Sequence, residues 1–211
     1  MASSILFKAL LFVFCPFFLF SEINILFIGD SNTRGVPYVE DGWVYKLKND
    51  VDLAKYNIIF ENYAFGFATT SQCEQVLTEL LQHHKYDIAF YNAGLVDILF
   101  KNISFQLLEE SMDRSIRLCL KNIPVVFFGM INFTCWTIRR NEDPDYIQKA
   151  NDLFLKMAKK YPVIPYEFLT TDLLCHEKCN VGDWIHTNEL GTQMIYIKVK
   201  EQLLHILTHQ N

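Results

Sequence analysis

The sequence lacks a surplus of positive charge: its 211 residues carry 19 Lys and Arg against 24 Asp and Glu, a formal net charge of -5. No basic stripe is present to neutralise phosphates, which excludes nucleic acid as an expected partner. Arg139-Arg140 is a pair rather than a patch. Also missing is any pair of cysteines with zinc-ribbon spacing and histidines to match, which argues against a structural metal. Internal repeats and low-complexity linkers are absent too. What remains is one domain of ordinary size, 51% hydrophobic, with enough apolar residues for a sizeable core.

Charge is nearly missing from the N-terminus as well. Lys8 is the sole charge before a continuous apolar run, Ala9 to Phe20. That run has signal-peptide length and is short for a transmembrane helix. No Ala-x-Ala pattern precedes Ser21, and the residues before Cys15 do not make a lipoprotein box. Residues 1–21 are therefore expected to be a signal peptide or an N-terminal hydrophobic anchor, with membrane association through residues 5–20 as the alternative to release. The expected location is exported, periplasmic or secreted. Residues 22–211 form the expected domain, taken to be a monomer. Of the five cysteines beyond the leader, Cys175 and Cys179 flank a three-residue segment; in an exported protein they pair into a small loop or stand as two free thiols. Asn102-Ile103-Ser104 and Asn132-Phe133-Thr134 are glycosylation triplets, a pattern that also arises by chance.

From Ile23 the chain alternates between two periods. Apolar runs at Ile23–Gly29, Tyr56–Asn62, Asp87–Asn92, Ile123–Met130 and Val163–Phe168 read as strands. Helical spacing marks Trp43–Leu47, Cys73–His84, Phe105–Leu120, Tyr146–Lys160 and Leu190–Leu207. This order predicts an α/β domain, a three-layer α/β/α sandwich with a mostly parallel five-stranded sheet. Pro37 and the polar stretch Asn132 to Asp145 are expected to form the mobile rim of a site.

The first strand stops at Gly29-Asp30-Ser31. In open α/β sheets ligands bind beyond the C-terminal strand ends, and a serine there can present its hydroxyl beside a following backbone N–H. Alone, this is also what an ordinary capped turn looks like. Near the other end, Asp183-Trp184-Ile185-His186 places a carboxylate and an imidazole three residues apart, so that both can project toward one point. Serine catalysis needs such a base and a carboxylate to hold its tautomer.

Taken together, in this order on an alternating α/β chain, the two motifs resemble the SGNH hydrolase superfamily of GDSL lipases and esterases. The resemblance covers essentially the whole chain after the leader. It implies a flavodoxin-like fold, no metal or organic cofactor, and hydrolysis of a lipid, short-chain or sugar O-acyl ester through an acyl-serine. By this resemblance Ser31 is the nucleophile, His186 the base and Asp183 its orienting carboxylate. Asn62 matches the family's second block, whose glycine donor lies five residues on. Phe67 stands there, with Gly66 one earlier, so the expected oxyanion donors are the N–H groups of Ser31 and of Gly66 or Phe67. The third block departs: Gly94-Leu95-Val96-Asp97 has valine where the family has an asparagine donor. Asn92 or Asn32 are candidate substitutes. The departure keeps two alternatives open, an O-acetyltransferase- or deacetylase-like modifier of cell-surface polysaccharide and a catalytically weak binding module. Phe65, Phe67, Phe133, Trp136 and Trp184 are candidates to line an apolar acyl pocket, or are ordinary core and rim aromatics.

Overall fold

The computed structural model describes residues 22–37, 39–101 and 103–209. The expected leader and Asn102 lie outside them. Five strands, β1 (Ile23–Gly29), β2 (Ile58–Asn62), β3 (Ile88–Asn92), β4 (Val125–Ile131) and β5 (Ile164–Leu169), form one sheet in the order β2-β1-β3-β4-β5. Every pairing is parallel. The direction of winding reverses between β1 and β3, and the crevice at that switch point is where such sheets bind ligands.

Both faces of the three central strands are buried, as parallel strands require, while the edge strands β2 and β5 are partly exposed. On one face Phe27, Phe90 and Phe127 stack across three strands, with ring centroids 4.9 and 4.4 Å apart. Helices α2 (Trp43–Lys48) and α9 (Glu189–His209) pack against one another, and Trp43 of α2 meets Phe27 and Phe168 edge-on. On the other face Tyr91 and Phe128 lead to Phe154 of α7 (Pro144–Lys160), which packs beside α5 (Phe105–Asn122); α3 (Thr70–His83) packs in turn on α5. Burying a phenylalanine fully contributes roughly 1.5–3 kcal/mol, so these two aromatic layers are major terms in cohesion. Capping is written into the sequence: Thr69 and Gln72 make a reciprocal capping box on α3, Ser104 caps α5, and Asp143 with Pro144 starts α7.

Four short helices are absent from the sequence reading: α1 (Ser31–Arg34), α4 (Leu95–Phe100), α6 (Trp136–Arg139) and α8 (Thr171–Cys175). Each follows the C-terminal end of a strand. The stretch expected to be a mobile rim contains α6, and it is anchored: Phe133 and Trp136 are fully buried against the core. All five cysteines of the described residues are free, Cys175 and Cys179 among them. No helix among these residues is long and apolar enough to cross a membrane.

The passage from β1 into α1 is tightly packed. A methyl group on Gly29 would lie 2.4 Å from Thr33 Oγ1 and 2.7 Å from the Asn92 carbonyl oxygen. The next residue, Asp30, is completely buried and caps α1 by accepting a 2.9 Å hydrogen bond from the Asn32 N–H through Oδ1. Its Oδ2 is buried with no hydrogen-bond partner. Burial pushes the carboxyl up to about 7, against the pull of the Asn32 N–H and the nearby His186.

Two outcomes follow from this turn. Gly29→Ala should destabilise the fold by roughly 1–3 kcal/mol, because backbone as well as a side chain must move; the urea midpoint measures it. Asp30→Asn keeps the cap acceptor and removes the titration. In the wild type the unfolded chain releases this proton near the ordinary carboxylate value of 3.8, whereas the folded chain holds it until about 7. The folded state therefore binds more protons, and the group's contribution to stability falls as pH rises through that window. The melting temperature of Asp30→Asn minus that of the wild type should be larger at pH 8 than at pH 5. A difference independent of pH would refute the account.

Candidate active site

Ser31 opens α1, so its N–H belongs to the first turn and has no intrahelical acceptor. The side chain is mostly buried, 8% exposed, and its Oγ lies 2.8 Å from His186 Nε2. On the far side of the ring His186 Nδ1 is 2.6 Å from Asp183 Oδ2. With Nδ1–H donating to the carboxylate, Nε2 is left as the acceptor for the serine hydroxyl. The structure thus brings Ser31, His186 and Asp183 into one line from opposite ends of the chain.

The turn carrying Asp183 and His186 is strained and well tied. Gly182 (φ +97°) and Trp184 (φ +60°) both take the left-handed region, which is uncommon for a tryptophan. Asp183 Oδ1 accepts from the N–H groups of Ile185 and His186 at 2.9 and 2.8 Å, closing the loop on itself. Burial alone would raise the Asp183 carboxyl. The His186 N–H, the His186 ring and the Ile185 N–H together outweigh it and hold the group below its ordinary value.

Three successive carbonyls of the same turn are held from outside. Arg140 Nη1 donates to the Asp183 carbonyl at 3.3 Å, Trp136 Nε1 to that of Trp184 at 2.8 Å, and Asn32 Nδ2 to that of Ile185 at 3.1 Å. Arg139 lies over the Trp184 ring, 4.5 Å from its centroid. Trp136 and Arg140 therefore support the site, roles that neither the choice between pocket and core aromatic for Trp136 nor the Arg139-Arg140 pair foretells. A tryptophan amid polar residues was the signal available, since its buried N–H needs an acceptor.

Near the expected oxyanion position the loop after β2 is tied to α1. Asn62 bonds the Thr33 carbonyl through Nδ2 at 3.2 Å and accepts from the Ala64 N–H at 3.1 Å. This fastens the 63–67 loop beside α1, as does the bond from Phe65 N–H to the Gly29 carbonyl. Phe67, five residues after Asn62, takes φ +60°, whereas Gly66 has no positive φ and a methyl added there would meet nothing within 4 Å. The left-handed residue of the turn is the phenylalanine. Its ring is 72% exposed and packs on Phe100 of α4 at 5.8 Å.

Neither candidate substitute donor is free to face the cleft. Asn32 spends its amide on Ile185. Asn92 is completely buried on the aromatic face of the sheet: its Oδ1 accepts from Tyr166 Oη at 2.6 Å, and its Nδ2 has no accessible surface. Two glycines make room for Asn92, and a methyl on Gly129 would come within 2.3 Å of that Oδ1. Val96 itself is buried in α4. Beside it Asp97 accepts the Thr70 N–H at 2.8 Å and ties α4 to the start of α3. Among the expected pocket aromatics, Phe133 and Trp136 are core residues, Phe65 and Trp184 are half-buried, and Phe67 is on the rim.

No protein-family model matches the sequence, and no curated protein matches it either. Solved structures do. The psychrotrophic esterase EstA from Pseudoalteromonas sp. aligns with 88% of this chain and 98% of its own, with a TM-score of 0.75 at 17% identity. A member of the lipolytic G-D-S-L family from Veillonella parvula aligns with 86% of this chain and 97% of its own, with a TM-score of 0.67 at 21% identity. AlinE4, an SGNH-hydrolase family esterase, aligns with 89% and 97%, with a TM-score of 0.66 at 16% identity. At such identities the likeness is one of architecture, and by architecture this chain has the SGNH hydrolase fold.

Proposed function

We propose that the protein is a serine hydrolase of carboxylic esters working through an acyl-serine intermediate. The observation that carries this reading is the continuous relay from Ser31 Oγ through both ring nitrogens of His186 to Asp183, at 2.8 and 2.6 Å. In the proposed reaction Ser31 Oγ attacks the ester carbonyl carbon while its proton passes to His186 Nε2. Asp183 stays ionised and stabilises the imidazolium. The oxyanion is met by the N–H of Ser31 and, from the left-handed turn, that of Phe67 rather than Gly66. Collapse breaks the ester C–O bond, and the imidazolium returns its proton to the departing alcohol. Water then attacks the acyl-serine by the same relay in reverse.

Val96 supplies no side-chain donor. Loss of one oxyanion donor costs on the order of 100- to 1,000-fold in turnover, so a slow enzyme is expected. The same deficit does not separate hydrolysis from the alternative, acyl transfer to a polysaccharide hydroxyl, because the acyl-serine is common to both. Export, or retention at a membrane, rests on the apolar run at residues 9–20 and is proposed on that ground alone.

The test is a 4-nitrophenyl ester series from acetate to long acyl chains. Ser31→Ala and His186→Ala should each remove turnover by at least 1,000-fold with the melting temperature little changed. Asp183→Asn should cost less than either. Full activity in Ser31→Ala would exclude the reading. Val96→Asn should raise kcat if the missing donor limits the rate; an unchanged kcat would show that the backbone donors suffice.

A further inference from the structure

A groove of about 590 Å³ runs along the sheet edge behind α1 and lies apart from the relay. Its lining is of two kinds. Val44, Phe60, Ala64 and Phe65 give it an apolar floor, with Tyr45 half-exposed at the side. Arg34 and Lys48 bring two cations to it, and among the described residues no carboxylate lines it. Its size is within the range of pockets for small ligands.

Three cations elsewhere at the strand-end rim are engaged, whereas Arg34 and Lys48, like Lys46 of the same helix as Lys48, are not. Lys101 is paired with Glu142 at 2.6 Å, Arg139 with Glu177 at 3.5 Å, and Arg140 is bonded to the Asp183 carbonyl. Among the described residues Arg34 and Lys48 have no ion pair and no side-chain hydrogen bond. Each does lie in the last turn of a short helix, where a cation complements the helix end. That preference explains neither their convergence on one groove nor its aromatic floor. In a chain of net charge -5, two unpaired cations lining one groove make it locally favourable to an anion.

Neither Ser31 nor His186 lines the groove, but its walls are tied to the segment that carries the nucleophile. Arg34 is three residues beyond Ser31 on α1, the spacing that makes helix neighbours. Asn62, part of the lining, bonds the Thr33 carbonyl, and Phe65 N–H bonds the Gly29 carbonyl immediately before the turn.

We infer that this groove is a substrate subsite for a monomeric ester carrying an anionic group, a phosphate or carboxylate, beside an aromatic or apolar segment. Arg34 takes the anion through its planar fork, Lys48 adds a point charge, and Tyr45 and Phe65 cover the apolar segment. The inference rests on the reading of Ser31 as the reacting group, since that is what makes the groove a part of the substrate site.

Phenyl phosphate tests it without turnover, because it offers the ring and the dianion but no carboxylic ester. Calorimetric titration of the wild type should show saturable binding that weakens as salt rises from 0.05 to 0.5 M. Phenol should bind at least tenfold more weakly, and the exposed double substitution Arg34→Gln/Lys48→Gln should weaken phenyl phosphate at least tenfold. No binding to the wild type, equal binding of phenol, or equal binding by the variant would overturn the subsite. Association with phosphatidylglycerol vesicles in place of phenyl phosphate would overturn it too, in favour of a lipid surface. A second arm compares 4-carboxyphenyl acetate with phenyl acetate, and the ratio of their kcat/KM should fall at least tenfold in the variant. If phenyl phosphate binds as expected but neither ester is turned over, the hydrolase reading fails and the anion groove stands. If both esters are turned over at an unchanged ratio and phenyl phosphate does not bind, the groove fails and the hydrolase stands.

Discussion

Ser31 and the Asp183–His186 turn come from opposite ends of the chain, and their alignment depends on three hydrogen bonds to consecutive carbonyls. Left alone, a turn with Trp184 in the left-handed region would relax, since that conformation costs of order 1–3 kcal/mol in a non-glycine residue. It is held because Arg140, Trp136 and Asn32 each take one carbonyl of the sequence Asp183-Trp184-Ile185. A typical hydrogen bond contributes about 1 kcal/mol net, so three of them are of the right size to offset the strain. Asn32 is the most informative of the three. It follows Ser31 directly, so the same short helix presents the hydroxyl and grips the turn that carries its base.

The helix itself is held by what lies beneath it. Gly29 lets α1 lie against the end of β3 at a distance no side chain would permit, Asp30 caps it from inside, and Trp43 Nε1 of α2 donates to the Asn32 carbonyl at 2.9 Å. An uncompensated carboxylate buried at such a point would be costly. The protonated form avoids that cost, in keeping with the raised value for Asp30 and its partnerless Oδ2.

What could be read from the chain follows the physical length of each signal. The strands and the long helices announce themselves because period-2 and period-3.6 patterns have several turns over which to repeat. Helices of four to six residues such as α1, α4, α6 and α8 show no such repeat and owe their form to the strand ends they follow. Ser31, Asp183 and His186 were legible because each sits in a short contiguous motif. The Trp136 and Arg140 contacts were not, since their acceptors are backbone carbonyls more than forty residues away, and a carbonyl leaves no mark on sequence. Asn92 misled for a related reason. A polar residue at a strand end looks available until its burial is known: Tyr166 takes its Oδ1, and Nδ2, though without a partner, is closed off from solvent.

Phe67 carries a consequence for how such a site diversifies. A peptide N–H is indifferent to the side chain attached to it, so the position that a glycine would fill at least strain can carry a large ring. Here that residue is exposed and its ring packs on Phe100. On the proposed reading, the strain is the cost of carrying a large ring on the same residue as the N–H that meets the oxyanion. A substitution there would change the exposed surface and keep the N–H, so that surface and donor can vary through different atoms of one residue.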